Sequence, residues 1–263
     1  MNPNLIGLLS VGLSFTAFAL AFATLSPRNV SARVAAFAVF ALLAIPSILF
    51  AIYYLHVLPE RAWFFTLRSW RGTELLVVFL GIATGASATL LPRLLLILPL
   101  SALAVLSVVP YIKPLLFPIA ESEIDERWSG IACLQSTQST CGPASTCTIL
   151  KLLGAKATER EAAHACHTSG RGTEAWYLAR YVRSKGFVAR FVFRRTLQKE
   201  DLPAVVGVRI GSVGHFIAVL GTNGDEITLA DPLRGEERLP ISQFQKRYEV
   251  TGFRMTITKP PAT

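Results

Sequence analysis

Four residue types that together perform acyl transfer occur in this chain at suggestive positions. Gln135 stands six residues before Cys141, which is followed by Gly142, Pro143 and Ala144. Downstream come Gly214-His215-Phe216 and Ala230-Asp231-Pro232. A thiol nucleophile, an imidazole to carry its proton, a carboxylate to hold the ring and an amide N–H for the oxyanion are the groups covalent catalysis at a carbonyl requires. Each has an ordinary explanation when taken alone: a buried inert thiol, a structural histidine, a turn aspartate, a glutamine of no account. Their joint presence favours the catalytic reading.

The elements that must position these groups are legible in the pattern. Residues 142–153 read as a helix with Ala144, Cys147, Ile149, Leu150 and Leu153 on its apolar face and Gly154 as its stop. Cys141 then lies at the positive end of that helix, where unpaired N–H groups and a nearby imidazolium favour thiolate. Gly142 leaves room for substrate, and Pro143 is tolerated in a first helical turn. Thr158-Glu-Arg-Glu161 is a capping box opening a second helix through about His164. Thr173 is expected to cap a third, which holds Trp176, Leu178, Ala179 and Val182 and ends near Gly186. The period then changes, and Phe187–Phe193, Ala204–Ile210, His215–Leu220, Glu226–Ala230 and Phe253–Thr258 read as strands. Helices first and strands second imply an α+β domain with an antiparallel sheet.

Thr222-Asn223-Gly224 is the strongest turn signal. A three-residue loop there sets His215 directly opposite Asp231 on one sheet face, with Cβ atoms about 4.5–5.5 Å apart. A two-residue loop shifts the pairing by one and sends the two side chains to opposite faces. In the opposed arrangement Asp231 holds one ring nitrogen of His215 and leaves the other facing sulfur. Gln135 and the Cys141 backbone N–H then serve the oxyanion.

Other polar groups were weighed for chemistry. His164, Cys166 and His167, with Cys133 or Cys147, are zinc-ligand types, but no C-x-x-C pair occurs and an amphipathic helix explains the histidines. No metal and no cofactor are expected. Arg180, Arg183, Lys185, Arg190, Arg194, Arg195 and Lys199 form a run without an acid, read as a solvated face. Anionic headgroups or an acidic leader are its alternative partners; nucleic acid is not expected, because no stacking motif accompanies the charge.

The composition divides the chain in two. Mean hydropathy is +0.46 and 52% of residues are hydrophobic. The excess lies in residues 1–120, which carry seven Lys/Arg and two Asp/Glu against nineteen and fifteen in 121–263. The first part reads as a membrane region of about four transmembrane helices (4–24, 32–55, 74–91 and 94–116), the second as a water-soluble domain able to build its own core. The link 56–73 interleaves Trp63, Phe64, Phe65 and Trp70 with Arg61, Arg68 and Arg71, a composition suited to the headgroup zone. Four spans put Arg61, Arg68, Arg71, Lys113 and Arg127 on one side and Arg28, Arg33 and Arg93 on the other, which places the catalytic domain in the cytoplasm; a re-entrant third run reverses this. No span carries a charge at its middle, so the region reads as an anchor rather than a transport path.

Residues 128–250 resemble the bacteriocin-processing cysteine peptidases, peptidase family C-39. The family's Q-x(5)-C-G-x-A pattern matches Gln135, Cys141, Gly142 and Ala144. Its histidine matches His215 and its D-P aspartate matches Asp231 with Pro232. The resemblance implies a papain-like fold, a Cys141–His215–Asp231 triad with Gln135 at the oxyanion, and cleavage of leader peptides after Gly-Gly in a bacterial cell membrane. Unlike the best-known members, this chain places its helices first, and it lacks a G-x-x-x-x-G-K-[ST] phosphate loop, so ATP-driven export calls for a separate exporter. A papain-like acyl transferase and a non-catalytic peptide-binding receptor domain are the alternative readings.

Overall fold

The structure, a computed structural model, describes residues 3–261. The apolar part contains helices α1 (Leu5–Leu25), α2 (Val30–Tyr54), α3 (Ala62–Arg68), α4 (Val77–Ala88), α5 (Ile97–Val108) and the single turn α6 (Lys113–Leu116). The chain divides into two compact units, residues 3–60 with 71–116, and residues 61–70 with 117–261.

In the first unit α4 packs against α1 and α2 through small residues. A side chain at Gly81 would overlap the Ser14 carbonyl, and one at Gly85 would press on Phe18, so glycine is what permits this approach. Ala44, Val77, Leu80, Ala83 and Leu103 form its core. Asn4 caps α1 and donates to buried Glu74 at 3.1 Å. Three helical segments, Leu5–Leu25, Val30–Tyr54 and Arg93–Tyr111, are long and apolar enough to cross a membrane, and Thr73–Ala88 is shorter. The segment expected as a third span, 74–91, is built from a 3-10 turn at Thr73–Leu76 and the shorter helix Val77–Ala88.

The second unit holds the strand pair β1 (Arg127–Ser129) and β2 (Ala132–Leu134), then α7 (Cys141–Leu152), α8 (Glu159–Ala165) and α9 (Ala175–Ser184). After them come β3 (Val188–Phe193), β4 (Ala204–Ile210), β5 (Val213–Asn223), β6 (Glu226–Asp231), β7 (Gly235–Pro240), α10 (Ile241–Arg247) and β8 (Glu249–Thr258). The larger sheet has six antiparallel strands in the order β3-β8-β4-β5-β6-β7. Val206, Val208, Ile217, Val219, Leu229, Phe244 and Tyr248 share a core that joins the sheet to α10. The α+β architecture with an antiparallel sheet is as expected, while β1, β2, β7 and α10 carried no signal strong enough to be read. Thr158 accepts from the Glu161 N–H at the start of α8, as its capping pattern implies. Thr173 does not cap α9; the cap is Glu174, and the Thr173 hydroxyl meets Thr168 Oγ1 at 2.8 Å instead.

The link between the second and third apolar runs is also corrected. Phe64 and Phe65 are buried in the second unit rather than lying at a headgroup surface. The Phe65 ring centroid lies 5.5 Å from that of Trp176, 5.4 Å from Phe191, 5.2 Å from Phe193 and 5.9 Å from Phe253. Arg180 donates to the carbonyls of Arg68 and Trp70, and Arg183 to the carbonyl and hydroxyl of Ser69, which satisfies the carbonyls that end α3. Those two arginines, and Arg194 in its ion pair with Asp201, are thus structural members of the basic run and not a solvated face.

Candidate active site

The β5–β6 hairpin brings His215 and Asp231 together by a route the turn alone did not predict. Asn223 pairs with Glu226, so the loop has two residues, with Gly224 at φ +58 in its first central position. That pairing alone sends His215 and Asp231 to opposite faces. A bulge between Val219 and Gly221 moves the register by one, and beyond it Ala218 pairs with Ala230. Continuing this register sets Asp231 opposite Ile217, so His215 becomes its diagonal neighbour on the same face. Their long and short side chains span the diagonal, with His215 Nε2 lying 2.8 Å from Asp231 Oδ1.

Asp231 is fully buried and its oxygens are satisfied from three directions. Oδ1 accepts from His215 and from the Leu233 N–H at 2.9 Å, and Oδ2 accepts from the Tyr248 hydroxyl at 2.7 Å. Burial alone raises the pKa of Asp231, but the bonds from His215, Leu233 and Tyr248 and the His215 charge outweigh it and hold the carboxyl below its usual range. For His215, burial acts downward, and hydrogen bonds to Asp231 and Cys141 with their charges prevail, raising the ring to about 9. His215 is consequently an imidazolium at neutral pH. With Nε2 committed to Asp231, the other ring nitrogen is the one left for the Cys141 side chain.

Cys141 is the first residue of α7, half-buried, and free. Its neighbour Gly142 is confined: a Cβ there would stand 3.1 Å from Leu178 Cδ1 and 3.3 Å from Phe216 Cδ2. Glycine thus lets α7 close onto the strand that carries His215. Ser145 on the same helix donates to the Phe216 carbonyl at 3.0 Å and pins α7 to β5. These contacts bring the start of α7, where Cys141 lies, against the strand that carries His215.

Gln135 follows β2 and is tied to the aspartate loop, its backbone N–H donating to the Pro232 carbonyl at 3.0 Å. Its side-chain amide donates to Thr137 O at 2.8 Å, and its buried Oε1 has no partner. The loop from Gln135 to Cys141 is held by a carboxylate that the sequence reading treated only as part of a helix cap. Glu159, fully buried in the first turn of α8, accepts from the Ser136 N–H at 2.8 Å and from its hydroxyl at 2.5 Å. Tyr248 was missed altogether, because nothing near it in sequence marks a partner of Asp231.

Cys133, Cys147 and Cys166 are buried free thiols. Burial pushes Cys133 up to about 12, with Glu159 and Glu126 adding to the effect, and raises the other two well above the ordinary range. Among the described residues no group of three or more His, Cys, Asp or Glu is gathered to hold a metal ion. His167 packs edge-on against Tyr177, at 5.0 Å between centroids.

The chain is 36% identical over 112 residues to an uncharacterized protein of Methanothermobacter marburgensis, spanning 43% of this chain and 78% of that one. It is 34% identical over 122 residues to the probable functional amyloid protease FapD of Pseudomonas aeruginosa, covering 43% of this chain and 54% of FapD. Over 120 residues it is 32% identical to the lactococcin-G-processing and transport ATP-binding protein LagD of Lactococcus lactis, covering 43% of this chain but only 17% of LagD. Among solved structures, the peptidase domain of Streptococcus ComA aligns at a TM-score of 0.43 and 22% identity, covering 48% of this chain and 96% of that domain. A double glycine motif protease from an AMS/PCAT transporter, in complex with its leader peptide, aligns at 0.39 and 17%, covering 52% and 91%. The model of the Peptidase C39 family matches residues 121–262, more than half of the chain. The chain belongs to the Peptidase C39 family.

Proposed function

We propose that this chain is a membrane-anchored cysteine endopeptidase that removes leader peptides, cutting after Gly-Gly. The observation that supports this reading is the buried His215–Asp231 pair, with Nε2 2.8 Å from Oδ1 and Cys141 among the groups that raise the ring. The family membership and the leader-bound relative support the choice of substrate class.

In this reading Cys141 Sγ attacks the scissile carbonyl carbon and the C=O electron pair moves onto oxygen. The oxyanion is met by the Cys141 backbone N–H, which has no intrahelical acceptor, and by the Gln135 amide. Collapse of the adduct breaks the C–N bond, and His215 gives its proton to the departing amine. The neutral imidazole then takes a proton from water, the hydroxide attacks the thioester, and the thiolate leaves. Asp231 keeps the ring oriented throughout. The helical segments Leu5–Leu25, Val30–Tyr54, Thr73–Ala88 and Arg93–Tyr111 anchor the enzyme in a bacterial cell membrane with the catalytic unit in the cytoplasm, and a separate exporter takes the trimmed product.

The test is hydrolysis of a peptidyl-Gly-Gly-aminocoumarin by the detergent-solubilised full chain. Release of aminocoumarin that is abolished in Cys141→Ala and His215→Ala is the expected result. Saturable binding of the peptide without release identifies a receptor domain instead, and transfer of the peptidyl group to an added amine in place of water identifies an acyl transferase.

A further inference from the structure

The carboxylate that orients His215 is itself held by a group outside the expected triad. Tyr248 ends α10 and is almost wholly buried, its ring packed against Phe244 at 5.3 Å between centroids. Its hydroxyl reaches Asp231 Oδ2 at 2.7 Å. The charged and titratable groups facing this pair come from several elements. His215 approaches from β5, Arg234 Nε lies 4.0 Å from Oδ2 on the turn after β6, and Arg247 lies over the Tyr248 ring while pairing with Glu237 of β7. Arg234 is more than half exposed, and among the described residues Tyr248 is the one that gives Oδ2 a short, buried bond.

We infer that Tyr248 is a positioning residue for the reaction: its hydroxyl locks the Asp231 carboxylate so that Oδ1 stays aimed at His215 Nε2. The inference rests on the peptidase reading above, since it concerns the same site. Rotation of the carboxylate about its Cβ–Cγ bond breaks the Tyr248 bond together with those to His215 and Leu233. Removing the hydroxyl leaves Oδ2 in a water-excluded place with a cation 4.0 Å away as its remaining polar neighbour, and the carboxylate turns toward it. Burial and the Asp231 charge both raise the Tyr248 pKa, so the hydroxyl is a donor across the working range. Because the bond from Tyr248 is one of those that hold Asp231 in its ionised form, its loss also makes Asp231 easier to protonate.

The experiment uses Tyr248→Phe in the full chain, which keeps the ring and deletes one oxygen. A hydrogen bond to a charged group carries enough energy to change a rate by about ten-fold or more. The expected result is a fall in kcat of about ten-fold with KM within about two-fold, and an acid limb of the kcat/KM profile moved to higher pH. Phe244→Leu disturbs the packing of the same ring without touching Asp231 and is expected to lower Tm while leaving the acid limb in place. Unchanged kcat and acid limb in Tyr248→Phe overturn the inference, as does an equal shift of the limb in Phe244→Leu. Alkylation of Cys141 by iodoacetamide, followed against pH in the same variants, needs the assembled site but no peptide. If the wild type hydrolyses nothing while the Tyr248→Phe alkylation profile is displaced, the peptidase reading fails and the role of Tyr248 stands. A Tyr248→Phe alkylation profile superimposable on that of the wild type overturns the role of Tyr248 whatever the proteolysis shows.

Discussion

In the proposed reaction the proton inventory of the site centres on His215, whose raised pKa sets where activity is expected to end. An imidazolium that must protonate the departing amine is lost as pH passes about 9, so kcat/KM is expected to fall on the alkaline side near that value. Asp231→Asn removes the negative charge and leaves only a weaker, neutral amide acceptor, so its alkaline limb is expected at lower pH; a limb that stays in place contradicts the assignment. The same linkage affects stability. The folded pKa of His215 exceeds the ordinary 6.5, so its contribution is complete below about 6.5 and is lost as pH rises through about 9. Gln135 acts at a different step. Gln135→Ala is expected to lower kcat by roughly 10²–10³ while Cys141 still alkylates at the wild-type rate, and a loss of alkylation would show that Gln135 shapes the site rather than the oxyanion. Residue types and order made Gln135, Cys141, His215 and Asp231 legible in the sequence, because their chemistry is distinctive. Tyr248 and Glu159 were hidden, since a tyrosine and a glutamate acquire meaning only from what the fold lays against them.

At the scale of elements, the strands and helices with strong periodicity were readable and the joints between them were not. β4 lies at the expected bounds and α7 begins one residue early, while the geometry of the β5–β6 hairpin depends on a bulge that no turn motif encodes. The face-sharing of His215 and Asp231 was anticipated, but through direct opposition rather than a diagonal. α3 was misread because aromatic and basic residues suit a headgroup zone and an aromatic core equally well by composition. The structure spends Phe65 on four rings and uses Arg180 and Arg183 to close the helix end. Phe65→Ala is therefore expected to destabilise the catalytic unit by about 3–5 kcal/mol, measured by denaturation followed through tryptophan fluorescence. Trp63→Ala, at an exposed position of the same helix, serves as the control and is expected to change stability by less than about 0.5 kcal/mol. Equal effects from the two substitutions would show that α3 is not held by its buried face.

For the whole molecule, residues 61–70 belong to one unit with 117–261, and in the proposed membrane-anchored enzyme this constrains the path through a bilayer. A chain that leaves one aqueous side after Trp70 and returns to it by Phe117 crosses an even number of times. Thr73–Ala88 is short for a hydrocarbon core of about 30 Å, which local thinning or flanking residues accommodate. In a Cys141→Ala background, Arg28→Cys and Arg93→Cys are expected to react with an impermeant maleimide from the face opposite to Lys259→Cys. Labelling of Arg93→Cys from the same face as Lys259→Cys would instead mark Thr73–Tyr111 as a re-entrant hairpin. Hydropathy announced the division between apolar and polar parts, but not that the connector returns to complete the aromatic core of the catalytic unit. The account as a whole stands on His215, held by Asp231, activating Cys141, and the most direct measurement is the rate of Cys141 alkylation by iodoacetamide in the full chain with and without His215. The account predicts modification of Cys141 in preference to the buried Cys133, Cys147 and Cys166, and its loss in His215→Ala. A modification rate at Cys141 that is indifferent to His215→Ala would contradict it.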